Sequence, residues 1–168
     1  MSSTANQLSA NTSLFAGFTS ADLEVLVPAV NRREVKRGDV LASEGEPGGV
    51  MFVISTGSID VRKRLGGAEA RLARLHPGEA CGEMALLSGG PRTADLVVAE
   101  DGVVFEITRH ALEQAVAEHP EVAAKLWCNL ASALTERLSS TNELLSKSVE
   151  ANQKLASQTG FRRAFGGT

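Results

Sequence analysis

The densest run of chemistry in the chain is Gly82-Glu83-Met84-Ala85-Leu86-Leu87-Ser88-Gly89-Gly90-Pro91-Arg92-Thr93-Ala94. Its order predicts a strand end, a glycine, one helical turn over Met84 to Ser88, a Gly-Gly-Pro break, and an arginine opening the next strand. A glycine followed by a helix start presents unpaired backbone N–H groups and the positive end of the helix dipole, which suits an anion. Ala85 is small enough for close backbone approach, and the forked donors of Arg92 match phosphate oxygens. Glu83 would repel a bare phosphate, so the expected ligand also offers hydroxyl donors, as a ribose does through its 2′-OH. Phosphate plus sugar points to a nucleotide. Taken singly, Arg92 reads as half of a surface salt bridge and Glu83 as a helix-capping carboxylate. The constellation is what favours binding.

Other chemistries find less support. His76, His110 and His119 are scattered without metal-ligand spacing, so no metal site is expected. Cys81 and Cys128 lack that spacing too and read as free thiols that pack. No nucleophile accompanies the Glu83 and Arg92 pair, so no catalytic residue is assigned, no enzyme is expected and no cofactor is called for. The net charge of -3 gives no footprint for nucleic acid. The longest apolar runs, such as Val50 to Ile54, are strand-sized, which argues against insertion in a membrane. Met1 to Ser13 is polar and lacks the form of a secretory signal, which leaves the cytoplasm as the expected location.

Positioning this constellation requires a scaffold, and 168 residues with 43% hydrophobic content suffice for one domain with a real core. Leu23, Leu26, Val27 and Val30 carry helical spacing over Ser20 to Val30, with Thr19 or Ser20 as cap. From Arg32 to Ile107 short apolar runs alternate with glycine-bearing turns, Gly57 among them, as in an antiparallel barrel or sandwich. Helical period returns at Ala111, Leu112, Ala115 and Val116, is broken at His119-Pro120, and resumes from about Glu121 toward Gln158. In that long helix a register through Ala131, Leu134, Leu138, Thr141, Leu145, Ser148, Asn152 and Leu155 resembles a coiled-coil seam with polar interruptions. Either the seam forms a homodimer, which the length of the helix favours, or only its first turns pack and the rest frays.

The pattern Gly82-Glu83-x-Ala85-Leu86 followed by Pro91-Arg92-Thr93-Ala94 resembles the phosphate-binding cassette of cyclic nucleotide-binding domains. Val35 to Leu41, Glu44 to Gly48, Met51 to Gly57 and Leu14-Phe15-x-Gly17 resemble the family's other segments, in order, so the likeness runs over about residues 14–140. It implies a mainly β fold with flanking helices, an antiparallel β-roll or jelly-roll barrel of the cupin-like double-stranded β-helix type. An N-terminal helix and a long C-terminal helix would flank it. The resulting division is a flexible lead (1–13), the binding domain (14–140), a helical extension (141–158) and a flexible tail (159–168). The implied ligand site is Gly82, Glu83, Met84, Ala85, Arg92, Thr93 and Ala94. Arg92 pairs with the cyclic phosphate, Glu83 accepts the ribose 2′-OH, and backbone N–H groups near Ala85 and Ala94 complete the phosphate site. Thr93 stands where a hydroxyl reaches the phosphate or a guanine amino group, which leaves cAMP and cGMP both open. Trp127, Leu130 and Leu134 are the candidate lid over the base, with a plain core role as the alternative for Trp127.

The resemblance thus implies a non-catalytic sensor that passes ligand binding through its last helix to an unidentified effector protein. Transcription regulators of the catabolite-activator type add a helix-turn-helix, and neither a recognition helix nor a basic face is read after Gln158. A regulatory domain of a larger enzyme, channel or transporter, and a ligand-free or cyclic-dinucleotide-binding domain of the same fold, are the alternatives.

Overall fold

A computed structural model describes residues 4, 5, 8 and 13–165, Ser13 and those from 156 onward for their backbone only. The chain divides into two compact units, Met1–Leu130 and Ala131–Thr168.

In the first unit, α1 (Ser20–Leu26) is started by a reciprocal capping box. Asp22 N–H donates to Thr19 Oγ1 at 3.2 Å while Thr19 N–H donates to Asp22 Oδ2 at 2.7 Å. Helical spacing predicts that α1 reaches Val30, but Pro28 has no N–H to continue the ladder. The chain tightens into a 3-10 turn over Val27–Ala29, and Val30 opens the first strand.

Six strands follow: β1 (Val30–Val35), β2 (Val40–Ala42), β3 (Val50–Leu65), β4 (Ala68–Leu75), β5 (Ala80–Cys81) and β6 (Asp95–Thr108). All pairings are antiparallel, in the order β1-β6-β3-β4, with β2 on β6 and β5 on β3. This is the expected β-roll with flanking helices. The helices are α2 (Glu83–Ser88) before β6, then α3 (Arg109–Val116) and α4 (Pro120–Phe165), with Pro120 at the start of α4 as the His119-Pro120 break predicts.

Successive side chains on a strand point to opposite faces, and β3 and β6 bury both. Met51 and Val53 of β3, with Phe105 and Ile107 of β6, join Leu23, Leu26, Leu112, Val122, Leu126 and Leu130 of the helices in one core. Phe52 and Ile54, with Leu96, Val98 and Val104, form a second core inside the roll. Inside positions on β3 are even-numbered as far as Ile54 and odd-numbered from Ile59. Register shifts between Ile54 and Ile59 produce the change. Sequence patterning treats Gly57 as a turn between two strands; instead the strand runs on through it, and β6 likewise runs unbroken from Asp95 to Thr108. The backbones touch at this crossing. A Cβ on Gly102 would lie 2.0 Å from Thr56 O, and one on Gly57 would lie 2.7 Å from Glu100 O.

Of the expected lead, Ala5 and Leu8 are buried in the helical core, and apart from Thr4 and Ser13 the rest lies outside the described residues. Cys81 is buried as expected, whereas Cys128 is exposed and does not pack. The second unit holds the remainder of α4. Its backbone stays helical to Phe165, past the expected end near Gln158, and the last three residues of the predicted tail lie outside the described residues. Thr135, Ser140, Thr141 and Ser146 each donate to the carbonyl four residues back. Leu138, Leu144, Leu145, Val149 and Leu155 are exposed.

α1 is fastened to the start of α4 by Lys125, whose Nζ donates to Asp22 Oδ2 at 2.6 Å. That bond, with the Thr19 N–H bond, lowers the Asp22 carboxyl to about 2 from 3.8. A carboxyl depressed in the folded state contributes stability above its unfolded value, and loses that contribution as pH falls toward its folded value. Asp22→Asn should therefore lose about 1–2 kcal/mol at pH 7. The difference from the unsubstituted protein should close between about pH 4 and pH 2, as read from urea midpoints.

Candidate functional site

Residues 82–94 form a strap that joins β5 to β6. Gly82, at φ 80°, turns the chain from β5 into α2, and Gly89, at φ 69°, ends α2 with its N–H on Ala85 O at 3.0 Å. The strap then runs against the loop between β2 and β3. Gly48 N–H donates to Gly90 O at 3.3 Å, Arg92 N–H to Glu46 O at 2.8 Å and Gly45 N–H to Arg92 O at 2.9 Å, with a bridge between Pro47 and Pro91. A Cβ on Gly48 would sit 2.1 Å from Ala85 Cβ, so the loop and α2 meet backbone to side chain. At the far end, Lys63 of β3 donates to Thr93 O at 3.0 Å and pairs with Glu44 at 3.1 Å.

The two charged residues singled out from sequence are both buried, Glu83 at 4% exposure and Arg92 at 7%. Charged side chains seldom reach this depth without partners or a function. Arg92 Nη1 donates to Gly82 O at 3.2 Å and Nη2 to Val50 O at 2.7 Å, and the guanidinium carbon stands 5.8 Å from the centre of the Phe52 ring. Arg92 thus spans from the cassette to β3. It lines a cavity of about 590 Å³ together with Leu41, Val50, Phe52, Glu106 and Thr108. At the wall of this cavity Glu106 accepts from Asn31 at 3.1 Å and from Arg33 at 2.9 Å.

Gly82, Glu83, Ala85, Arg92 and Ala94 are therefore brought together as a partly buried strap. Met84 is 53% exposed, and Thr93 is exposed with its carbonyl held by Lys63. Of the candidate lid, neither Trp127 nor Leu130 lines the cavity at Arg92. Leu130 is a member of the helical core at 2% exposure, and Trp127, 38% exposed, lines a separate cavity of about 280 Å³ beside Leu86, Leu87 and Leu112. Trp127 is thus not a core residue. Leu134 belongs to the second unit. Sequence reasoning missed Arg109, which bonds the carbonyls of Leu86 and Leu87, and Lys63. Isolated basic residues on a strand or at a helix start carry no pattern by which to find them. Among the described residues, no three His, Cys, Asp or Glu side chains are grouped to hold a metal ion, and no helix is long and apolar enough to cross a membrane.

The family model for the cyclic nucleotide-binding domain matches residues 32–119. The cyclic AMP receptor protein of Thermus thermophilus is 32% identical over 126 residues, covering 74% of this chain and 56% of that relative. A CRP-like cAMP-activated global transcriptional regulator of Mycobacterium tuberculosis is 26% identical over 141 residues, 83% of this chain and 61% of that relative. The chain thus spans 56% and 61% of the lengths of these curated relatives. Among solved structures, a cyclic nucleotide-binding domain from Methylobacillus flagellatus superposes with a TM-score of 0.75 at 27% identity, covering 85% of this chain and 81% of that one. The Thermus thermophilus catabolite activator protein gives a TM-score of 0.69 at 30% identity, covering 80% and 62%.

The backbone of the strap is tested by two alanine substitutions. Gly82→Ala and Gly89→Ala share the left-handed strain of about 1–2 kcal/mol, but a Cβ on Gly82 would lie 2.4 Å from Arg92 Nη1 and 2.9 Å from Val50 O, whereas on Gly89 it comes no nearer than 3.4 Å to Arg109. Gly82→Ala should be the more destabilising by a further ~1–3 kcal/mol in urea unfolding.

Proposed function

The chain belongs to the cyclic nucleotide-binding domain family, and we propose that it is a non-catalytic sensor of cAMP or cGMP that relays binding through α4. The observation that carries this reading is the burial of Arg92 and Glu83 on one glycine-started strap, with Arg92 lining a cavity of about 590 Å³. In it Arg92 pairs with the cyclic phosphate, Glu83 accepts the ribose 2′-OH, and backbone N–H groups near Ala85 and Ala94 complete the phosphate site. Arg92 now holds two neutral carbonyls, and a phosphate offers it charge-assisted, bidentate bonds in their place. Relatives named for cyclic AMP, in Thermus thermophilus and Mycobacterium tuberculosis, support cAMP as the first ligand to test, and Thr93 keeps cGMP open.

Output follows if the ligand binds one arrangement of α3 and α4 better than another. The break between Val116 and Pro120 supplies the hinge, and an effector protein reads the helix. The exposed leucines of the second unit, Leu138, Leu145 and Leu155 in the seam register among them, support a homodimer through α4. A soluble cytoplasmic regulator, free or as part of a larger enzyme, channel or transporter, is the setting this reading entails. A cyclic nucleotide-gated potassium channel of Mesorhizobium japonicum, 34% identical over 117 residues, is one such larger relative.

Calorimetric titration with cAMP and cGMP, after stripping carried-over nucleotide, should show saturable binding and rank the bases. Arg92→Ala should weaken it by about 2–5 kcal/mol, and Glu83→Ala should weaken ribose recognition. Unchanged affinity in Arg92→Ala would refute the site. Sedimentation of the intact chain should show a dimer that is lost on truncation after residue 138; a monomer in both ends the dimer reading.

A further inference from the structure

α2 is six residues long, too short to stabilise itself, so its carbonyl end depends on partners from outside. Beyond the Gly89 N–H bond to Ala85 O, one side chain supplies them. Arg109 donates from Nε to Leu86 O at 2.7 Å and from Nη2 to Leu87 O at 2.6 Å, and Nη2 also reaches Leu86 O. A cation at this end also opposes the negative pole of the helix. The opposite end of α2 is held by Arg92 on Gly82 O. The cassette helix is thus clamped at both ends by arginines, and the two differ in what they are attached to. Arg92 belongs to the strap itself. Arg109 is the first residue of α3, and its own N–H is tied to Gly49 O at 2.8 Å.

We propose that Arg109 is a positioning residue that fastens the carbonyl end of the cassette helix to α3, so that the two shift together when the ligand draws Arg92 off Gly82. This deepens the nucleotide-sensor reading and rests on it. A phosphate competes for Arg92 and releases the clamp at the glycine end. The Arg109 clamp holds neutral carbonyls that no ligand phosphate displaces, so a shift of α2 is passed to α3 and on toward Pro120. α2 and α3 also border a cavity of about 280 Å³ lined by Leu86, Leu87, Arg109, Leu112, Glu113 and Trp127, so the Arg109 bonds join the two helices where close packing between them is incomplete. A lysine at 109 keeps the charge but lacks the rigid fork that spans two carbonyls.

Hydrogen exchange and calorimetry on the intact chain, with and without cAMP, test the inference in Arg109→Ala and Arg109→Lys. In the unsubstituted protein cAMP should change exchange in both residues 83–89 and residues 109–118. In Arg109→Ala affinity should fall about tenfold, a usual size for coupling between sites. The response at 83–89 should survive there while that at 109–118 is lost, and Arg109→Lys should fall between. If Arg109→Ala does not fold, Arg109→Lys decides alone. Unsubstituted affinity with an intact response at 109–118 in the variants overturns the inference and leaves the sensor reading standing; failure of the unsubstituted chain to bind cAMP or cGMP overturns both.

Discussion

Arg92 carries a permanent charge into a position that bulk water barely reaches, and a desolvated guanidinium is costly unless its N–H groups meet acceptors. Two of those acceptors are main-chain carbonyls, Gly82 at the start of the cassette helix and Val50 at the start of β3. The geometry of both elements is therefore bound to one side chain. Gly82 has no Cβ where the guanidinium passes, and the loop from Gly45 to Gly48 is hydrogen-bonded along the residues that carry Arg92. Remove the charge and the strap loses the group around which its turns are set.

That arrangement also explains which parts of the molecule are legible in the sequence. The cassette is readable because its residues are contiguous and their types are chemically restrictive, and α3 and the break at His119-Pro120 are readable because apolar spacing and proline speak locally. The continuity of β3 is hidden, since the parity of its inward side chains changes between Ile54 and Ile59 and imitates two strands around a turn at Gly57. The crossing of Gly57 and Gly102 is invisible because a close backbone approach involves residues distant in the chain. Arg109, Lys63 and the Asp22–Lys125 pair escape for the same reason, each being an ordinary charged residue until folding supplies its partner. Trp127 and Leu130 show the opposite limit. Helical spacing puts both on α4 but does not say which is packed, and only Leu130 is.

The sheet is a single layer with two hydrophobic faces. Phe52 and Val53 are neighbours in the chain yet report to different cores, one inside the roll beside Arg92 and one among the helices. Changes beside Arg92 and on the helical side therefore share a backbone, and close-packed interiors transmit displacement rather than absorb it.

β6 pairs with β1, β2 and β3, so three earlier strands wait for one late one. A chain leaving the ribosome displays the apolar run of β3 with its principal partner still unmade until the strand ending at Thr108 emerges. Unpaired apolar strands are aggregation-prone during that interval, and pairings across such sequence distances form slowly. Until then the nascent β3 has only β4 and β5 to pair with, so the cover of its apolar residues is completed by the last strand to be made.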